Sequence, residues 1–276
     1  MSLLKKGYIA IVYSNVWISF GALCFTLFFA QISQYQIPTH FLGFVFFSTL
    51  FAYNFQRIVK IKINRSEISG NRAKWINQNI NVIYAILILS FGLTSYFAYF
   101  FIKDVWIFIV LISFLSFFYV WKIPFLKINL RNIPTIKIYV LALTWVLTTV
   151  ILPLFLFGNL SYNFNTILLL VGALLFIISI TIPFDIRDVN LDHPKQKTIP
   201  QIIGVKKSVV LAIVLLIISH SLFMFYKHQF NWAIFIHLFL SALLIGKTKI
   251  NKHDLFFSGG IDGLLITLYS LTFFPY

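Results

Sequence analysis

Apolar residues along this chain form long uninterrupted runs separated by short polar and basic segments. A hydrocarbon layer about 30 Å thick takes about 20 helical residues to cross, and several runs exceed that length. Residues 7 to 56 contain no Lys, Arg, Asp or Glu, and the polar break from Gln34 to His40, with Pro38 inside it, divides them into two helices. Residues 138 to 184 behave alike and divide between Phe157 and Asn165, where Gly158, Asn159, Asn163 and Asn165 supply turn chemistry. The pattern predicts an all-α polytopic membrane protein with nine transmembrane helices; Asn54 and Asp185 each end an even-numbered span before a basic loop, and that parallel placement suggests a bundle around a central, lipid-accessible cavity. The spans fall at about 8–32, 41–56, 78–101, 105–121, 138–156, 166–184, 208–226, 229–246 and 255–274, as one unit over 1–276. The first is too long for a signal-peptide apolar region and lacks a small-residue cleavage site, so it is expected to be retained.

Composition agrees with that pattern: 60% of the 276 residues are hydrophobic and 11% charged, against about 25% charged in soluble domains. Charge then orients the spans, because cytoplasmic loops carry the excess of Lys and Arg. Of 22 Lys and Arg, twenty fall at the N-terminus or in the loops after spans 2, 4, 6 and 8, and only Lys103 and Lys227 lie on the other side. The N-terminus is therefore expected in the cytoplasm and Tyr276 outside, in a cell membrane of the bacterial inner-membrane kind. The net charge of +15 is then topology plus attraction to anionic membrane lipid, with no nucleic-acid partner. Cys24 is the single cysteine, so no disulfide framework or CxxC site can form. The 33 Phe are expected mainly as lipid-facing packing, since Lys outnumbers Arg 17 to 5 and the composition drifts as an AT-rich coding sequence would make it.

The candidate chemistry lies at the end of span 6. Three of the seven acids, Asp185, Asp188 and Asp192, crowd around Arg187 and precede His193 and Pro194. At about 100° per residue Asp188 and Asp192 fall about 300° and 340° from Asp185, so one helix face carries all three within about 60°. A helix C-terminus opposes such charge through its dipole, so something cationic must compensate. Carboxylate oxygens converging from one face suit Mg²⁺. The plainer alternative is an acid cluster neutralised by Arg187, Arg57 or loop lysines.

The run from Asp185 through Asp188 and Asp192 to Lys197, Thr198, Pro200 and Gly204 resembles the second aspartate motif of UbiA-type membrane prenyltransferases. In that family the motif closes the sixth of nine helices, and its DxxxD core maps onto Asp188 and Asp192. Tyr119, Pro124, Leu126 and Lys127 resemble the family's basic loop between helices four and five. The resemblance implies transfer of a prenyl group from a polyprenyl diphosphate to an aromatic or other lipid-soluble acceptor. It implies metal ligation by Asp185, Asp188 and Asp192, with Asp188 and Asp192 catalytic. Asn54, Lys127, Arg131 and Arg187 are then expected to contact the substrate. The family's first motif, NDxxDxxxD, is absent: of Asn54 to Lys62 only Asn54 matches, and Phe55, Ile58 and Lys62 stand at the aspartate positions. Glu67 is off register. A diphosphate needs neutralising all the same, and helical phase favours Arg57, about 300° from Asn54, over Lys60, at about 240°, which is expected to point away.

Other polar residues carry plainer expectations. Asp262 follows Gly259 and Gly260 within span 9, and a protonated, hydrogen-bonded role weighs equally with a functional one. His220 and His237 are expected in interhelical hydrogen bonds, having no second ligand at helical spacing. Asn15 either lines a head-group pocket or is a packing amide. The chain has no GxSxG, HExxH, P-loop or CxxC pattern. The alternatives to a transferase are a non-catalytic lipid-binding or assembly module of the same fold, or a small-molecule transporter, for which only Gly259-Gly260 interrupts a span.

Overall fold

A computed structural model describes residues 3–63, 71–125, 127–158, 163–227, 231–250 and 252–273. Expectations placed on Arg65, Glu67, Leu126, Asn159, Asn251 and Tyr276 fall outside them. The described residues are helical and contain no strand. Helix α1 (Leu3–Tyr13) meets α2 (Val16–Ile32) at a 66° bend. Asn15 makes the corner in a left-handed conformation, φ 68°, which asparagine tolerates better than most residues. Helix α3 (Thr39–Ile63) starts after Pro38, whose carbonyl accepts the Phe41 and Leu42 N–H groups. A short α4 (Asn71–Gln78) leads into α5 (Ile80–Ala98), and α6 (Ile102–Phe118) follows. Helix α7 (Ile136–Val146) continues through a π turn (Leu147–Ile151) into α8 (Leu152–Phe157).

Helix α9 (Phe164–Asp188) opens with the Asn163 side chain accepting the Thr166 N–H at 2.8 Å, an N-cap that satisfies an orphan donor. After α10 (Ile199–Ile203), Gly204 turns the chain at φ 82° into α11 (Val205–Lys227). Helix α12 (Trp232–Gly246) is capped by Asn231, and a π turn (Phe256–Ile261) precedes α13 (Leu264–Ser270).

Each expected span meets helix, and among the described residues five helices are long and apolar enough to cross a membrane: Thr39–Lys62, Ile80–Ala98, Ile136–Phe157, Phe164–Asp188 and Val205–Lys227. The bent pair α1 and α2 makes a sixth. Helix α6 has 17 residues and α12 has 15, and the stretch expected at 255–274 is divided between the π turn and α13. The second expected span was bounded at Gln56 by charge, yet α3 runs on to Ile63. Arg and Lys are good helix formers, and here they face polar surroundings.

Helices α9 and α11 pack closely at Gly172, whose carbonyl accepts the Ser219 hydroxyl at 2.8 Å. A Cβ at Gly172 would lie 2.8 Å from the Phe223 ring, so a small residue sets this approach. Phe25, Phe28, Phe29, Phe176 and Phe223 fill the adjoining space with ring centroids 4.9 to 5.6 Å apart. The expectation that phenylalanine mainly faces lipid therefore fails for this set, because helices in a membrane cohere by dispersion and need large rigid groups to fill the gaps. Phe91, Phe114 and Phe239 do lie exposed. His220 and His237 are buried and face each other across α11 and α12, with ring nitrogens 2.8 Å apart.

Candidate binding chamber

Rows from α3, α7 and α9 converge, with single residues from other elements, on a polar chamber of about 130 Å³. Tyr53, Gln56, Arg57 and Lys60 enter from α3 at i, i+3, i+4 and i+7, one face of a helix. The end of α9 supplies Ile177, Ile180, Thr181, Phe184, Asp185 and Asp188 by the same rule, and α7 supplies Lys137, Leu141 and Trp145. Asn15, Arg72, Tyr119, Arg131, Arg187, Ser258 and Asp262 complete the wall. Six Lys and Arg side chains thus face three carboxylates, those of Asp185, Asp188 and Asp262.

The acids at the end of α9 are engaged by cations. Lys137 Nζ lies 2.8 Å from Asp185 Oδ1 and 2.6 Å from Asp192 Oδ2, bridging the two carboxylates. Arg131 Nη2 approaches Asp192 Oδ1 at 3.1 Å. Arg187 grips Asp188 with two donors, Nε at 2.7 Å and Nη2 at 3.0 Å, and lies over the Phe184 and Phe257 rings. Among the described residues no carboxylate is in ion-pair contact with Arg57 or Lys60.

A second network ties the loop helix to the wall. Arg72 donates to Ser258 Oγ at 3.0 Å, to the Val12 carbonyl at 3.3 Å and to Asn15 Oδ1. Asn15 in turn donates to Asn54 Oδ1 at 2.9 Å, and Asn54 donates to the Ser14 and Leu50 carbonyls. Burial lowers the Arg72 guanidinium from its usual range to about 9, which leaves it cationic at neutral pH.

Next to the polar chamber is a larger apolar one of about 600 Å³ between α3, α5, α6 and α7, walled by Phe44, Phe51, Phe55, Phe91, Ile109 and Ile112 among others. Tyr53, Gln56, Tyr119, Leu141 and Trp145 line both chambers, so the two adjoin. Trp145 Nε1 donates to the Tyr53 hydroxyl at 3.1 Å at this boundary.

Of the residues singled out from sequence, Asp185, Asp188, Arg57, Arg131 and Arg187 reach the polar chamber. Asp192 does not share one helix face with them. Helix α9 ends at Asp188, whose carbonyl accepts the Leu191 and Asp192 N–H groups at 2.8 and 2.7 Å, and Asp192 lies in the turn beyond it, outside the chamber lining. Asn54 is fully buried in the network with Asn15 rather than on the wall, and Lys127 is exposed in a left-handed loop position, φ 55°. Lys60 was expected to point away and instead lines the chamber, because the inward face of α3 is centred between Gln56 and Arg57 and not on Asn54. Lys62 is exposed and sits over the Tyr84 ring, 5.4 Å from its centroid.

Sequence reasoning passed over Lys137 and Arg72, which read as ordinary positive-inside residues, and the i, i+3, i+4, i+7 row of α3 was the signal that could have found Lys60. Asn15 both lines the chamber and packs as an amide, and Asp262 lies on its wall. Among the described residues no group of three or more His, Cys, Asp or Glu side chains gathers to hold a metal. Of the plainer alternative, an acid cluster neutralised by Arg187, Arg57 or loop lysines, the Arg187 pair is found at Asp188, whereas Asp185 and Asp192 are held by Lys137 of α7 and Asp192 also by Arg131.

No protein-family model matches the chain, and neither does any curated protein. Among solved structures the chain is similar to a UbiA homolog from Archaeoglobus fulgidus bound to GPP and Mg²⁺. The likeness covers 96% of this chain and 98% of that one at 13% identity, with a TM-score of 0.63. The chain therefore has the helical membrane fold of that UbiA homolog.

Proposed function

We propose that the adjoining chambers hold a prenyl diphosphate, its head among the cations and its chain in the apolar chamber, for transfer of the prenyl group to an aromatic or other lipid-soluble acceptor. The observation that carries this reading is the junction of a cation-rich chamber with an apolar one at Tyr53 and Trp145. An amphiphile with a polyanionic head and a hydrocarbon tail matches both halves, and the similar UbiA homolog was solved with GPP. In this reading Arg57 and Lys60 bind the head directly, Arg131, Lys137 and Arg187 bind it while held in place by carboxylates, and the aromatic boundary keeps water from the bond to be broken.

Magnesium in such chemistry neutralises a leaving diphosphate. Asp185, Asp188 and Asp192, the residues expected to ligate it, are each in contact with Lys or Arg, so the residues present do not fit a ready metal site and no step here uses one. Asp188 and Asp192 are then positioning residues. The absence of the first aspartate motif favours a second reading, a non-catalytic module that binds the lipid intact. Native mass spectrometry of lipids co-purified with the protein separates the two: a prenylated acceptor formed on adding geranyl diphosphate supports transfer, and unchanged diphosphate lipid supports the module.

Arg57→Ala and Lys60→Ala are each expected to weaken geranyl diphosphate binding by about 1.5–3 kcal/mol, the range for a hydrogen bond to a charged group. Isothermal titration reads both, and an unchanged Lys60→Ala would remove the α3 row from the site. For the membrane arrangement we propose one unit over 1–276 with nine spans and a cytoplasmic N-terminus, supported by the placement of Lys and Arg. Reporter fusions at Gln36 and Lys227 should read external and those at Asn71, Asn129 and Lys197 cytoplasmic, and a single reproducible inversion would refute the arrangement.

A further inference from the structure

We propose that this chamber recognises diphosphate without metal, Asp185, Asp188 and Asp192 serving to aim cations rather than to ligate Mg²⁺, an inference that rests on the prenyl-diphosphate reading above. Mg²⁺ demands near-octahedral oxygen ligation and is bound through one or two carboxylates plus phosphate oxygens. Here Asp188 accepts two donors from Arg187, and Lys137 joins Asp185 to Asp192 at 2.8 and 2.6 Å. To take Asp185, Asp188 or Asp192, the metal would have to strip a cation from a buried pair and then sit beside that same cation.

On the facing wall, where the family pattern would place a second set of acids, Arg57 and Lys60 enter the chamber with no carboxylate in ion-pair contact among the described residues. A diphosphate placed between the two walls meets Arg57 and Lys60 on one side and Arg131, Lys137 and Arg187 on the other. Arg supplies paired donors in a fixed fork and Lys a movable point charge, which together replace the charge that metal would provide. The carboxylates hold three of these cations in position before the anion arrives, and such pre-organisation lowers the ordering cost of binding.

The test titrates geranyl S-thiolodiphosphate, which resists ionisation, into the full chain in phosphatidylcholine nanodiscs, once with excess EDTA and once with excess magnesium chloride. Inorganic diphosphate is titrated in parallel. The expected result is an affinity in EDTA equal to that in magnesium within about twofold, or tighter, because magnesium competes for the free ligand. Lys60→Gln is expected to weaken binding about tenfold or more in both conditions. An affinity that falls about tenfold or more in EDTA overturns the proposal and leaves the prenyl-diphosphate reading standing. Binding of inorganic diphosphate in EDTA without binding of the thiolodiphosphate supports the metal-free anion site and overturns the prenyl reading instead. Binding of neither overturns both.

Discussion

Lys137→Met is expected to destabilise the protein by about 3–5 kcal/mol, the range for breaking a buried ion pair from one side. The ammonium stands between Asp185 and Asp192 with contacts of 2.8 and 2.6 Å, and all three side chains are largely buried. Methionine fills the same volume without charge, so the two carboxylates lose their shared counter-ion and Arg131 remains for Asp192 alone. Thermal unfolding in detergent micelles measures the loss. Combining Lys137→Met with Asp185→Asn should recover about 1–3 kcal/mol of it, since the second change removes the orphaned charge. A loss below about 1 kcal/mol would mean that water screens the pair as it screens a surface bridge. The same variant should weaken diphosphate binding, because it removes a cation from the chamber wall as well as a structural tie.

Arg72→Met is the second large change, expected at about 3 kcal/mol, the upper end for losing hydrogen bonds to a charged group and leaving buried acceptors unpaired. The guanidinium serves Ser258, the Val12 carbonyl and Asn15, and lies over the Tyr13 ring at 5.8 Å. Arg72→Lys should rescue little, since one ammonium cannot reproduce the fork that spans three acceptors on different elements. Hydrogen exchange distinguishes this from general destabilisation: exchange over Asn71–Gln78 should rise more than exchange over α9. Equal increases in both would mean that Arg72 does not specifically anchor α4.

Arg72 and Asn15 also show why the polar interior was only partly readable beforehand. The left-handed corner at Asn15 lies inside a charge-free run and gives no hydropathy signal. Its amide becomes informative only when Asn54 and Arg72, on separate elements, are brought to it. His220 and His237 are alike in this: each was expected in an interhelical hydrogen bond, and that they bond to each other across α11 and α12 depends on how those helices pack.

The chain by itself determined that the protein is helical and membrane-borne, and that the end of its sixth apolar run carries the acids, because run length and charge placement are local properties that a bilayer reads directly. Helix length was less legible, since α3 continues through Arg57 and Lys60 where charge counting stopped at Gln56. Which cations face the chamber followed from how the helices pack. Rotation of α3 about its axis turned Lys60 inward and Lys62 out, and the end of α9 at Asp188 moved Asp192 off the common face. The packing of α7 against α9 placed Lys137 between two carboxylates distant from it in sequence. A buried charge gains from a partner, and which charge meets it depends on how helices pack, a property no single segment encodes.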